Sequence, residues 1–479
     1  MKESSSHLAA LLGLNEGVGP AYLRVAGGLR ALIDDGRLTT GTRLPSERQL
    51  AATLGVSRTT VTAAYDALRA DGYVDSRQGS GTLIRRPSGR STISERSPVW
   101  APALPTDRES DVVDLTQAAI PANIPAVKNA FHRALDDISA YLPGNGYAIA
   151  GVDVLRSAVA DWFARRGVPT GPEQIMITSG AQQAISIIAD RLVSPGDRVI
   201  VDHPTYPGAI DGFQRFGARL VPVPLGHDGR DLEAFGSTVA QTSPRLAYVI
   251  VDFHNPTGLL ADDSERVALA DMLAAARETT IIDETLVDVV LDDMAPPTPF
   301  AALASSTITI GSASKSYWGG LRIGWIRAEP RLIERLVGGR SAVDYASPVL
   351  EQLAVAHLLS DSAALTDLQA MLRPRRAALV GAVADHLPSW RVSVPRGGLS
   401  LWFDIGARVS TRLVHAAADR GVLLAVGPRF GIDGAFENRL RIPYCVPEDQ
   451  LRDGVARIAD TWAGLDRRAH VPATRGAVV

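Results

Sequence analysis

Lys315 is one of only three lysines in a chain that otherwise uses arginine for its cations. It lies in GSASKSYWGGLRIGW (311–325), with Ser312 and Ser314 just before it and Arg322 seven residues after. A lysine amine can condense with an aldehyde to form a Schiff base. Two hydroxyls and a guanidinium close to it suit a phosphate. Other residues supply what such a partner would need. Asp283 ends the apolar run TIID, where a carboxylate can keep a ring nitrogen protonated. Ser179, Gly180, Ala181 and Gln182 open an apolar helical pattern after QIMIT, and free N–H groups at a helix start favour a phosphate. Tyr206 in DHPTYPG can stack on a ring, and Asn255 in HNPTG can hydrogen-bond a ring hydroxyl. Arg441 in RLRIPY can clamp a carboxylate with two parallel hydrogen bonds. These are the demands that pyridoxal 5′-phosphate (PLP) would make of a protein, and each has a candidate here at the end of a predicted strand. Taken singly these signals are weak: a strand-end Asp is usually a helix cap, and HNPTG is usually a turn. Their order along one chain carries the reading.

A second constellation lies near the start. In GTRLPSERQLAATLGVSRTTVTAAYDALRADGYVDSRQGSGTLI (41–84), Ser46 stands three residues before Gln49, the spacing of a capping box. Leu50, Ala51 and Leu54 then form one apolar face, and Gly55 breaks the helix. Ser57 is the next cap, followed by Val61, Ala64 and Leu68 at helical spacing. Two short helices across a tight turn make a helix-turn-helix. The second helix carries Arg58, Thr59, Thr60 and Thr62 off its apolar face, and its first residues are those such a helix offers to base edges. After Gly72, YVDSRQGSGTLI reads as strand, Gly-rich turn and strand, with Arg77 placed to follow a phosphate backbone or a minor groove. The bland alternative is a helical bundle with solvated arginines.

The elements that must position these residues fall into blocks. Residues 1–84 are helical in pattern and close on the strand pair. Residues 85–110 are rich in Pro, Ser and Arg without a hydrophobic period, which reads as a linker. Over 111–466 short apolar, β-branched runs alternate with amphipathic stretches: RVIVD (198–202), LAYVIVDF (246–253), TIIDE (280–284) and STITIGS (306–312). That alternation predicts buried parallel strands in an α/β sheet, with ligand groups at the strand ends. A smaller lobe is expected over about 345–464, and 467–479 reads as a frayed tail.

At 479 residues the chain is too long for one ordinary core. The net charge of −3 averages unlike parts, because 17–86 holds ten arginines against six acidic residues. A basic head on an acidic body points to a polyanion partner for the head alone. The single cysteine, Cys445, excludes an intramolecular disulfide and a cysteine-based metal site, and no metal is expected. The start lacks a long apolar core with a small-residue cleavage site, and no run of about 18 apolar residues occurs. The expectation is a cytoplasmic protein that does not cross a membrane.

The head closely resembles the GntR-type winged helix-turn-helix over roughly 17–84. It has that family's G-x-R-L-P-S-E-R-x-L-A run, then G-V-S-R-x-T-V, then a G-S-G-T wing. The resemblance implies that Arg43, Ser46, Glu47, Arg48, Ser57, Arg58, Thr59 and Gly79 lie at or beside double-stranded DNA. The body resembles fold-type-I aminotransferases over roughly 112–464, an α/β fold with large and small subdomains. That likeness implies PLP on Lys315 and homodimers that share the site. Tyr147 in GNGYAIAG resembles the tyrosine that reaches the partner's cofactor phosphate, although its spacing to Gly151 is one residue short. One departure matters. A tyrosine commonly follows the ring-binding aspartate by two or three residues and donates to the ring hydroxyl, but Thr285 and Leu286 stand there. Thr285 would donate over a shorter reach, or Asn255 would hold that oxygen alone. GntR-type head and aminotransferase-like body together resemble the MocR family of regulators, in which PLP or an amino compound reacting with it is the effector. The alternative is a working aminotransferase acting on an amino acid.

Overall fold

The structure is a computed structural model that describes residues 5–12, 21–34, 38, 41–70, 72–77, 81–85, 111–226, 229–276, 279–342, 344–361 and 363–465. Gly79, the side chain of Arg77, the linker beyond Arg85 and the tail therefore lie outside the described residues. By contacts, the described residues of Met1–Asp114, Ala407–Ala425 and Ile458–Val479 form one compact unit, and those of Leu115–Gly406 and Val426–Arg457 form another.

The head holds helices α1 (Ser5–Leu12), α2 (Ala21–Asp34), α3 (Glu47–Leu54) and α4 (Arg58–Ala70), then strands β1 (Val74–Arg77) and β2 (Gly81–Ile84). Ser46 caps α3 and the reciprocal Gln49 bond is present, completing the capping box. Gly55 adopts φ 67°, the left-handed conformation that ends α3 and permits the tight turn into α4. Leu29, Leu50, Val61, Ala64 and Leu68 close one core, to which Val74 and Ile84 of the antiparallel strand pair contribute. Tyr65 is buried in that core and donates to Pro45 O at 2.9 Å, fixing α4 against the entry to α3.

In the body, β3 (Val113–Leu115) leads to α5 (Ile124–Asp137) and α6 (Asp153–Arg165). Next come β4 (Ile175–Thr178), α7 (Ala181–Leu192), β5 (Arg198–His203), α8 (Pro207–Arg215), β6 (Arg219–Pro224), β7 (Leu246–Ile250), β8 (Thr280–Asp283), β9 (Ile308–Ser312) and β10 (Gly324–Arg327). These strands form a seven-stranded sheet in the order β4-β10-β9-β8-β7-β5-β6. Successive residues feed opposite faces: Tyr248 and Ile250 enter one core with Val199, Val201 and Ile281, while Ala247 and Val249 enter another with Ile200 and Ile282. Burial on both faces explains why these strands read as unbroken apolar runs. The sheet is mixed, because β10 runs antiparallel to both β4 and β9. A second sheet contains β3, β11 (Ser400–Asp404), β12 (Val422–Val426) and β13 (Arg439–Pro443). Trp402 of β11 lies opposite Arg441 of β13.

Candidate functional site

Strand register brings the body candidates together. Gly324, the first residue of β10, pairs with Thr178 of β4 on one side and Ser312 of β9 on the other. The segments that follow those strand ends, Ser179–Gln182 and Ala313–Lys315, therefore leave the sheet at the same edge. Only glycine fits at 324, because a Cβ there would come within 2.8 Å of the Gly180 and Gly311 backbones. Asp283 ends β8 at the level of Ile250 and Ile310. Chain reversals after β5 and β7 carry Tyr206 and Asn255 to that edge, where open α/β sheets hold ligands.

Lys315 Nζ donates to Ala118 O at 2.7 Å. Burial lowers its pKa; Cys445 and Asp283 act the other way, and the charges of Arg441 and Arg322 add to the lowering. A larger neutral fraction makes the amine a better nucleophile. Asp283 is buried and accepts from Tyr248 Oη at 2.5 Å and from the Thr285 amide at 2.9 Å. Burial raises its pKa, while bonds from Tyr248 and from the Thr285 hydroxyl and amide hold it down. Among the described residues Asp283 forms no ion pair, so a protonated ring nitrogen is the kind of partner it lacks. The Tyr206 phenol is raised by burial first and then by Asp283, with Arg441 and Arg322 opposing, which sets it among those three charges.

Arg322 has φ 50°, an uncommon conformation for a side-chain-bearing residue, and its Nη2 donates to Ser179 O at 2.8 Å. A Cβ on Gly180, itself at φ 93°, would sit 3.0 Å from that nitrogen, so glycine lets the guanidinium lie over the start of α7. Ser314 Oγ, Gln182 Oε1 and Thr205 Oγ1 are buried without a hydrogen-bond partner. Buried polar atoms are normally satisfied. The Ser314 and Thr205 hydroxyls can donate and fit an anionic guest such as a phosphate, as the Arg322 guanidinium and the helix start do; Gln182 Oε1 only accepts and does not serve an anion. Two expected donors are differently engaged. The Ser179 amide donates to Gln183 Oε1 at 2.6 Å, and Ser179 Oγ meets Ser347 Oγ at 3.2 Å. Ser312 Oγ accepts from the Ser314 amide at 3.1 Å.

Arg441 is buried, lies 4.9 Å from the centre of the Phe430 ring and donates to Thr116 O and, at 3.4 Å, to Asn255 Oδ1. Its Nε has no partner, and burial lowers its pKa to about 10. Asn255 is thus turned toward Arg441, and Thr285 toward Asp283. Tyr147 is not brought to this cluster: it is 63% exposed and stacks on Tyr345 at 5.4 Å. Sequence reasoning missed Tyr248, hidden in an apolar run, and Cys445, whose thiol burial pushes up to about 11 beside Lys315 and Arg441. Among the described residues no group of three or more metal-ligating side chains occurs, and no helix is long and apolar enough to cross a membrane.

In the head, Ser57 Oγ receives the Thr60 amide at 3.1 Å and lies 2.7 Å from both the Thr59 and Thr60 hydroxyls. The first turn of α4 therefore bends its hydroxyls back on its own cap. Glu47 Oε2 accepts from Thr62 Oγ1 at 2.8 Å and lies 3.5 Å from Arg58 Nε, so this carboxylate braces α3 against α4. The Arg58 side chain stays 73% exposed, and Arg48 is exposed on α3. Arg43 bridges to Leu83, and its side chain passes 3.4 Å from where a Gly81 Cβ would stand. Arg43 and Arg48, which form no ion pair among the described residues, and the exposed Arg58, which shares Glu47, give the helix pair and the wing strands a cationic surface of the kind that meets phosphates.

Comparison with known proteins agrees with both halves. Residues 110–458 match the family described as aminotransferase class I and II, and residues 21–84 match the bacterial regulatory proteins of the gntR family. The probable rhizopine catabolism regulatory protein MocR of Rhizobium meliloti is 31% identical over 78% of this chain and 78% of its own length. The HTH-type transcriptional regulator YdfD of Bacillus subtilis is 26% identical over 91% of this chain and 95% of its own. Among solved structures, LysN, the α-aminoadipate aminotransferase of Thermus thermophilus complexed with N-(5′-phosphopyridoxyl)-L-leucine, aligns with a TM-score of 0.67 at 27% identity. That alignment covers 74% of this chain and 92% of LysN.

Proposed function

This chain belongs to the aminotransferase class I and II family and, with its GntR head, is a MocR-type transcriptional regulator; from that premise we propose that its body holds PLP on Lys315 and that an amino compound arriving there sets how tightly the head grips operator DNA. When bound, PLP supplies an aldehyde for amines and an electron-withdrawing ring. The chain does the rest. Lys315 offers a deprotonation-prone amine. Asp283, oriented by Tyr248 and Thr285, keeps the ring nitrogen protonated. Tyr206 would cover the ring, Asn255 would serve its hydroxyl, and Arg322, Ser314 and the start of α7 from Gly180 would hold the phosphate, with Ser179 and Ser312 bracing that turn through their own bonds. Arg441 takes the carboxylate of the amino compound. The observation that carries this reading is the strand register that brings Asp283, Lys315 and Arg322 to one sheet edge, with Arg322 over the start of α7 and Arg441 on Asn255.

The head is read as binding double-stranded DNA through Arg58, Arg48 and Arg43, with Thr59 and Thr60 on the leading turn of α4. A homodimer is part of this reading, supported by apolar groups left open on the body: Leu142 is 70% exposed, and the Tyr147–Tyr345 pair is also uncovered. Two-fold pairing would give two heads for two half-sites. Turnover as an aminotransferase is the second reading, favoured by Arg441 and its uncommitted Nε.

Fluorescence anisotropy of labelled operator, titrated with protein in the presence and absence of PLP and a panel of amino acids and amines, tests the sensor reading. Operator affinity is expected to move by roughly 5- to 150-fold, the usual range of coupling between two sites. Lys315→Ala should lose that dependence while keeping basal DNA binding. Equal affinity under every cofactor state would leave the body as a scaffold only.

A further inference from the structure

The groups read as taking the effector are held by one stretch of main chain. Arg441 donates to Thr116 O, and Lys315 Nζ donates to Ala118 O at 2.7 Å. Ala119, between those two carbonyls and Ile120, lies close enough to Cys445 for its amide to oppose the rise that burial imposes on the thiol's pKa. The two carbonyls lie two residues apart on one pass of backbone, which therefore serves both cations. This stretch follows β3 and begins a few residues after the linker from the DNA-binding head. The atoms that hold the two cations are main-chain carbonyl oxygens.

We propose that residues 116–120 form a strap across the site, tethered to Arg441 and Lys315, and that a ligand offering a carboxylate to the one and engaging the other displaces it. The proposal rests on the reading of the site given above. A carboxylate binds a guanidinium through charge-assisted, two-point hydrogen bonds that a neutral carbonyl cannot match. Arg441 would therefore exchange Thr116 O for the ligand. Once Lys315 Nζ is engaged elsewhere, Ala118 O loses its donor as well. The far end of the strap can yield: Ile120 and Pro121 border a cavity of about 260 Å³, closed on other sides by Tyr317, Leu368 and Met371. Side chains beside such a space lack part of their packing partners, which makes a shift of the strap easier than it would be in a filled core. Loading of the site is thereby converted into release of the chain segment nearest the linker.

Hydrogen–deuterium exchange on the full-length protein tests this, read on peptides covering 111–123. Three states are compared: no addition, PLP alone, and N-(5′-phosphopyridoxyl)-L-leucine, a stable conjugate that presents phosphate, ring and carboxylate together. Binding is verified in each case by absorbance of the pyridoxyl group. The conjugate, which takes Arg441 from Thr116 O but has no aldehyde to condense with Lys315, is expected to speed exchange over 111–123 by roughly tenfold or more, as for opening of a local unit. PLP alone, which leaves Arg441 on Thr116 O, should give a smaller increase. Verified binding of the conjugate with unchanged exchange over 111–123 would overturn the strap while leaving the cofactor reading intact. Failure of both PLP and the conjugate to bind would overturn the cofactor reading, and the strap with it.

Discussion

Tyr248→Phe isolates what holds the carboxylate that faces the ring nitrogen. The change removes one hydroxyl and leaves the ring, which packs edge-on against Phe213 at 5.9 Å. Little repacking is expected, because no carbon is lost from the core. What disappears is the 2.5 Å donor to Asp283 Oδ2, the largest influence opposing the rise that burial imposes on that carboxyl's pKa. A hydrogen bond to a charged group contributes about 1.5–3 kcal/mol. Asp283 is buried, so water cannot replace it at once. Without it the ionised carboxylate loses stability, holds its proton to higher pH and pairs less well with a pyridinium. At about 1.4 kcal/mol per decade, PLP should bind about 10- to 100-fold more weakly. The assay is an absorbance titration of the apoprotein with PLP at neutral pH, with circular dichroism to show an unchanged fold. The weakening should lessen at higher pH, where the carboxyl ionises again. Parent-like PLP affinity in a folded Tyr248→Phe protein would refute the assignment of Asp283 as the partner of the ring nitrogen.

Two further outcomes are expected. Glu284 is buried beside Asp252, each with one oxygen lacking a partner, and burial followed by the Asp252 charge raises its pKa from 4.5 to about 7. A proton kept in the folded state but lost in the unfolded one stabilises below pH 4.5, and that contribution falls away as pH rises to about 7. Glu284→Gln should therefore flatten the fall of melting temperature over that window; parallel melting curves against pH for both proteins would refute it. In the head, Arg58→Ala should weaken operator binding by about 1–3 kcal/mol and relax specificity at one base position, whereas Arg48→Ala should weaken binding across sequences and flatten the salt dependence. Gel-shift titrations at several salt concentrations separate the two, and unchanged binding by both variants would place the DNA on another face.

What the sequence made legible follows from what side chains advertise. The cap at Ser46, the break at Gly55 and the second cap at Ser57 stand in the structure as read, since capping is local chemistry between residues a few positions apart. The apolar runs of β5, β7, β8 and β9 were legible because burial on both faces leaves no polar alternation. β10 was not, for its short GWIR run is flanked by the turn that carries Arg322 and gives no sign that it reverses direction. Tyr248 was hidden for the opposite reason: in an apolar run a tyrosine looks like filler, and only register shows its hydroxyl meeting Asp283. For the ring hydroxyl the sequence offered either Thr285 or Asn255 alone; Thr285 is found bonded to Asp283, which composition cannot reveal. The carbonyls of Thr116 and Ala118 had no signature at all, because every residue carries one.

That last point bears on how a body of this kind could control a head. An effector shifts the head only through a difference in its affinity for two states of the body. Its carboxylate would meet Arg441 in either state, so the grip on Arg441 by itself contributes no regulation. A difference arises when the same bond is already made by the chain in one state and not in the other, which is the position of Thr116 O and Ala118 O. Each exchange replaces a charged hydrogen bond with another, so the net change is a fraction of either bond. Two such exchanges match the scale of ordinary coupling, about 1–3 kcal/mol, without any large rearrangement of the sheet. The same arithmetic separates sensing from catalysis. An aminotransferase gains from a site preorganised for its substrate, since work spent displacing the chain's own backbone weakens substrate binding. For a regulator that work is the signal: a strap that competes with the ligand makes occupancy of the cleft and release of the segment after the linker one event.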